Sequence, residues 1–181
     1  MTKTIFEPTK PVDVHPGYEN IFAALLQKTT GKPLDTPLGE ELKTFAIDAA
    51  TRVRVADFQK FTSPYTRNYI GKDPATGWEM IVMGWRRGDR TAIHGHPLYA
   101  GYTWIAGEVL MEVFEKTPDG LKRVLEHVMR PGESFYAISQ VDDYENHIHR
   151  ITGLSDTAFT LHVYSDDARR GVDFDDYKII N

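Results

Sequence analysis

The apolar positions change period once along the chain, near residue 78, and that change separates a helical part from a β part. Upstream, Ile21, Phe22, Leu25 and Leu26 recur at one-and-four spacing and predict a first helix, closed by Thr-Thr-Gly-Lys-Pro at 29–33. Leu38, Leu42, Phe45, Ala46 and Ala49 repeat the period with strong helix formers between them and predict a second. The first stretch, to about residue 17 and rich in Pro and Thr, predicts an extended arm. From Trp78 onward, short β-branched and aromatic segments are broken by Gly, Pro, Asp or Asn at strand-and-turn intervals, the pattern of a β-sandwich or barrel. The predicted strands are Trp78–Trp85, Thr91–His96, Gly101–Ala106, Glu108–Glu115, Leu121–Met129, Ser134–Ile138, His147–Thr152 and Ala158–Tyr164, with turns at Lys72–Gly77, Arg87–Asp89, Thr117–Gly120 and Arg130–Gly132. The tail from Asp166 is charged and weakly patterned and reads as an irregular strap.

A length of 181 residues fits one domain, with arm and helices over 1–55, a β core over 60–165 and the strap over 166–181. The hydrophobic share of 41% supplies a core, so the chain is not of the disordered class. A formal net charge of −5 argues against a nucleic-acid partner, which needs clustered cations. No apolar run approaches the roughly 18 residues of a membrane span, and the N-terminus has no signal-peptide pattern. A cytoplasmic protein is expected. Cysteine is absent, which excludes thiolate ligands, iron–sulfur clusters and thiol nucleophiles. Any metal must be held by His and carboxylates.

Five of the seven His lie in His94-Gly-His96, His147-Ile-His149 and His162. In a strand, residues two apart point to one face, so each His-x-His pair can aim two imidazoles at one point. One such pair is ordinarily surface decoration; two in a β-rich chain favour a metal site. On strand geometry alone His147 and His149 are both candidate ligands. His15, before Pro16, and His127, in a charged strand, are expected to be structural or exposed.

The spacing Gly88, His94, His96, Ala100, Gly107 resembles the first motif of the cupins, in which two His and a Glu converge on a metal inside a small jelly-roll barrel, or double-stranded β-helix. The carboxylate position falls on Ala100 or Gly101, so a third His is the natural replacement. A mainly β, cupin-type barrel with N-terminal α-helices is the fold this resemblance implies.

Tyr65-Thr66-Arg67-Asn68, Trp85 nine residues before His94, His94-Gly-His96, His149-Arg150 and Leu161-His162-Val163-Tyr164-Ser165 occur in the order of the motifs of the cysteine dioxygenase family of thiol dioxygenases, which the chain resembles. The resemblance implies Fe(II) held by His94, His96 and His149, with a small-molecule thiol and O2 as partners. It implies that Arg67 clamps the substrate carboxylate, bordered by Tyr65, and that Thr160, His162 and Tyr164 form a relay reaching the iron. Thr160 stands where Ser is usual in the family. Trp85 is expected to shape the pocket and His147 to lie at its rim or behind a ligand. The implied reaction adds both atoms of O2 to L-cysteine to give cysteine sulfinate, because Arg67 occupies the place where mercaptopropionate-selective relatives have Gln. Dioxygenation of 3-mercaptopropionate or a mercapto-dicarboxylate, a non-catalytic metal-binding cupin, and a Zn or Mn isomerase or hydrolase are the rivals. Animal members carry a cysteine–tyrosine thioether; with Ala100 or Gly101 at the cysteine's place, no crosslink to Tyr164 can form.

Overall fold

Two mainly antiparallel sheets face each other, and each strand's two faces have different tasks. The computed structural model describes residues 13–58, 61–62, 64–139 and 143–180; most of the expected N-terminal arm, residues 1–12, lies outside them. In chain order the elements are β1 (Asp13–Val14), α1 (Glu19–Thr29), α2 (Thr36–Arg52), β2 (Thr66–Lys72), β3 (Glu79–Trp85), β4 (His94–His96), β5 (Tyr99–Ala106), β6 (Val109–Thr117), β7 (Gly120–Met129), β8 (Ser134–Ile138), β9 (Asn146–Gly153), β10 (Ala158–Tyr164) and β11 (Ile179–Ile180). One sheet runs β1-β2-β3-β10-β5-β8 and the other β11-β7-β6-β9-β4.

The central strands of the first sheet are apolar on both faces, because both are covered. Met80, Val82, Tyr99, Phe159, Leu161 and Val163 face the helices. Ile81, Met83, Trp85, Ala100, Tyr102, Trp104 and Tyr164 face the space between the sheets. Alternation along β10 therefore sends Thr160, His162 and Tyr164 inward. Helix α2 starts where Asp35 caps it, its carboxylate accepting from the Leu38 amide at 3.0 Å. It buries Leu38, Leu42, Phe45, Ala46 and Ala49 against β5 and β8. Burial of each large apolar side chain there contributes about 1.5–3 kcal/mol.

Three features depart from the pattern-based expectations. Thr66–Lys72 is a strand although its sequence, TRNYIGK, has no clean apolar alternation: it lies near the sheet edge and is only partly covered. The tail is more than a strap. The Val172 carbonyl accepts from the Gly95 amide at 2.9 Å, the Phe174 amide donates to Ile93 at 2.8 Å, and β11 pairs in parallel with β7. Phe174 is fully buried with Ile93, Phe114, Leu121 and Ile148, so the tail completes the edge beside β4. Finally, His147 and His149 do not alternate along a regular strand. His94 pairs with His149 and His96 with Asn146, so β9 carries one extra residue, a β-bulge, opposite Gly95.

Candidate metal and substrate site

Strands β4 and β9 bring His94, His96 and His149 together, with one potential ligand nitrogen from each within 4.8 Å of the others. The short strand can hold two imidazoles this closely because Gly95 lies between them; a Cβ there would run into the Tyr144 carbonyl oxygen and the Glu145 Cα. The rings are oriented from behind. His94 Nδ1 donates to the Ala92 carbonyl at 2.9 Å, and His96 Nδ1 donates to the carbonyls of Asn146 and His147, both at 3.2 Å. A neutral ring whose Nδ1 bears the hydrogen has its lone pair on Nε2. His96 Nε2 is buried without a protein partner. Burial, first of all, pushes the pKa of all three His down, most strongly at His96 and His149, where neighbouring His add to it. Three neutral, converging, desolvated imidazoles fit a divalent cation, and the set contains no carboxylate.

The strand register also decides which residue occupies the carboxylate position of the barrel motif. Ala100 pairs directly with Tyr164, whereas Gly101 pairs with Val163, and Ala100 belongs to the inward-facing cluster. The inward methyl of Ala100 can neither ligate nor crosslink.

Arg67 and Tyr65 line a cavity together with His94, His149, His162, Tyr164, Trp85, Met83, Thr91 and Ile151. Its cavity volume is about 10 Å³, on the order of what one water molecule needs. Arg67 Nη2 reaches the Tyr65 hydroxyl at 3.4 Å, and Nη1 is buried with no partner. A buried guanidinium with an open donor calls for an anion, and a carboxylate matches its fork.

Trp85, Thr160, His162 and Tyr164 form one hydrogen-bonded chain whose direction follows from where each hydrogen can go. The Trp85 indole nitrogen can only donate, and it lies 2.9 Å from Thr160 Oγ1. Thr160 Oγ1 in turn is 2.6 Å from His162 Nε2, the one acceptor its own hydrogen has among the described residues; donating there puts the ring hydrogen on Nδ1, 2.8 Å from the Tyr164 oxygen. The Tyr164 O–H is thereby left to point elsewhere, and Tyr164 lines the cavity and stacks on His96 with ring centroids 5.7 Å apart. Burial lowers the His162 pKa to about 3 and raises that of Tyr164, so both stay neutral. Trp85 thus anchors the relay as well as walling the pocket, stacking on Tyr65 at 4.9 Å.

His147 lies outside the three-His group. Its Nδ1 is 3.0 Å from His149 Nδ1, and its ring stacks on Phe135. Two contributors were not singled out from sequence. Tyr102, fully buried, packs against His96, His149 and His162, and its inward position follows from the same alternation that places Ala100. Asn146 donates to the carbonyls of Pro97, Leu98 and Ala137, locking the bulge; nothing in its neighbourhood marks it. His15 packs against Tyr18 and Phe58, and His127 pairs with Glu133 at 3.2 Å, both apart from the site.

The eight core strands are ordered β3-β10-β5-β8 and β4-β9-β6-β7, the interleaving of two Greek keys. The fold is a cupin-type jelly roll. No protein-family profile and no curated protein matches the chain. Among solved structures it is similar to an oxalate oxidase, 16% identical over 59% of this chain with a TM-score of 0.45, the match spanning only 56% of that protein. It is also similar to a double-stranded β-helix protein from Klebsiella pneumoniae, 15% identical over 64% of this chain and 85% of that one, TM-score 0.48. A cupin superfamily protein from Desulfitobacterium hafniense is 12% identical over 65% and 87%, TM-score 0.44. At these values the fold assignment rests on the strand order, and the chemistry on the site itself. Among the described residues no helix is long and apolar enough to cross a membrane.

Proposed function

We propose that this chain is a non-haem Fe(II) thiol dioxygenase that converts L-cysteine and O2 to cysteine sulfinate. The observation that carries the reading is one small cavity lined both by members of a carboxylate-free three-His cluster and by a buried guanidinium with an unpartnered nitrogen. His94, His96 and His149 would hold the iron, which would supply a positive charge that favours the thiolate and a redox-active centre. The reaction balances without an added reductant: the sulfur gives up four electrons and O2 takes four, both oxygen atoms ending in the sulfinate.

This chain's own residues bind and orient. Arg67 accepts the substrate carboxylate on its open edge and fixes the distance to the sulfur, with Tyr65 steadying the guanidinium. Tyr164 presents a phenolic hydrogen to substrate or oxygen, held by the His162 Nδ1–H. Met83, Trp85 and Ile151 form an apolar wall that keeps bulk water out. In this reading the partners are a small thiol and O2.

The test is oxygen uptake by anaerobically Fe(II)-loaded protein with L-cysteine, 3-mercaptopropionate and mercaptosuccinate in parallel, with mass spectrometry of the product formed under 18O2. Both labelled atoms in cysteine sulfinate, at one O2 per thiol, is the expected result. A preference for a thiol without the α-amine would refute cysteine as substrate. No uptake with any thiol would refute the dioxygenase.

A further inference from the structure

His147 combines three features that each cost stability. Its backbone is left-handed, φ +48°, shared among described non-glycine residues only with Tyr144. Its ring is largely covered, and its Nε2 is buried with no partner among the described residues. A glycine would relieve the backbone, and any apolar side chain would avoid the orphaned nitrogen. What histidine adds is its Nδ1, 3.0 Å from His149 Nδ1; its backbone carbonyl, which any residue would supply, lies 3.2 Å from His96 Nδ1.

Resting on the three-His metal reading, we propose that His147 is the positioning residue of the metal centre, orienting His149 through a neutral imidazole and His96 through its carbonyl. When His149 binds metal through Nε2, its Nδ1 carries the hydrogen and donates. His147 Nδ1 must then accept, which makes His147 the Nε2–H tautomer. The bulge makes this possible: the extra residue in β9 turns the His147 ring behind His149 instead of beside it. Partners behind metal-binding His are commonly carboxylates or carbonyls. An imidazole orients equally well but adds no negative charge, so the cation keeps its full charge for an anionic ligand such as a thiolate.

The test is metal affinity of the full-length protein, measured with Zn2+ by chelator competition, alongside thermal melting of the metal-free form. His147→Gly keeps the left-handed backbone and the carbonyl while deleting the imidazole; it is expected to melt at or above the wild-type temperature and to bind Zn2+ about 10–100-fold more weakly. His147→Asn tolerates the same backbone and places an amide oxygen where Nδ1 was, so it is expected to stay within a few-fold of wild type. Long-range 1H–15N spectra of the Zn2+-loaded wild type should show His147 protonated on Nε2 and His149 on Nδ1. Wild-type affinity in His147→Gly, or a hydrogen on His147 Nδ1, overturns the proposal, and the tautomer decides alone if the glycine variant fails to fold. A wild type that binds no better than His94→Ala overturns instead the metal reading beneath it.

Discussion

Replacing Thr160 with valine preserves the shape of a buried strand residue and deletes one hydroxyl. Among the described residues that hydroxyl is the sole partner of the Trp85 indole N–H, at 2.9 Å, and the partner of His162 Nε2, at 2.6 Å, and all three residues are at most 1% exposed. The substitution therefore strands two buried polar groups at once. At about 1–3 kcal/mol for each group left unsatisfied, Thr160→Val should cost about 2–6 kcal/mol. Thr160→Ser keeps the hydroxyl and loses only a methyl group, for about 1 kcal/mol. Guanidinium denaturation of the metal-free proteins measures both. The valine variant has a second consequence. With no donor for Nε2, His162 gains by moving its hydrogen there and accepting from Tyr164 on Nδ1, which turns the phenolic hydrogen away from the cavity. In the Fe(II)-loaded enzyme Thr160→Val should then lose about 100-fold in kcat, at the low end for a positioned proton donor, with iron content unchanged, while Thr160→Ser stays near wild type. Equal stability of the valine variant and wild type, or equal loss in both variants, would refute the directed chain from Trp85 to Tyr164.

Arg67→Ala should leave iron content unchanged and raise KM for L-cysteine about 10–150-fold, the worth of hydrogen bonds to a charged group; steady-state oxygen uptake reads it, and an unchanged KM would remove Arg67 from the substrate site. Gly95→Ala should destabilise strongly and abolish metal binding, because the added methyl meets the backbone of Tyr144 and Glu145, just before β9, which cannot swing aside; an alanine variant with wild-type melting and Zn2+ affinity would contradict the packing around the His pair. Acidification supplies a further check. The His162 pKa falls from about 6.5 when unfolded to about 3 when folded, so the unfolded chain binds more protons between those values. The stability that neutral His162 contributes is therefore complete above pH 6.5 and is lost as pH falls toward 3, at up to about 1.4 kcal/mol per pH unit. The gap in unfolding free energy between metal-free wild type and His162→Gln should narrow by about 3 kcal/mol between pH 6.5 and pH 4; parallel pH profiles would contradict the buried neutral imidazole.

Local pattern determined much of this protein. Apolar spacing alone places two helices, the eight core strands to within a few residues, and the inward set Thr160, His162 and Tyr164, because side-chain direction in a regular element depends only on position along it. The two His-x-His pairs were legible for the same reason, since His-x-His on a strand is a local device, whereas Arg67 and the preference for His149 came from the resemblance of the ordered motifs to those of the cysteine dioxygenases. Three things depended on contacts between distant segments. The strand Thr66–Lys72 owes its conformation to a neighbour it pairs with and not to its own alternation. The tail reads as irregular until Phe174 finds a pocket made by Ile93, β6, β7 and β9. Which of His147 and His149 joins His94 and His96 in the cluster follows a one-residue bulge, and a slip of one residue changes every side chain's direction without altering the sequence pattern that precedes it. Sequence thus supplied the groups and their faces. Register supplied the division of labour among them, since it is fixed by pairing across the sheet, which no local periodicity encodes.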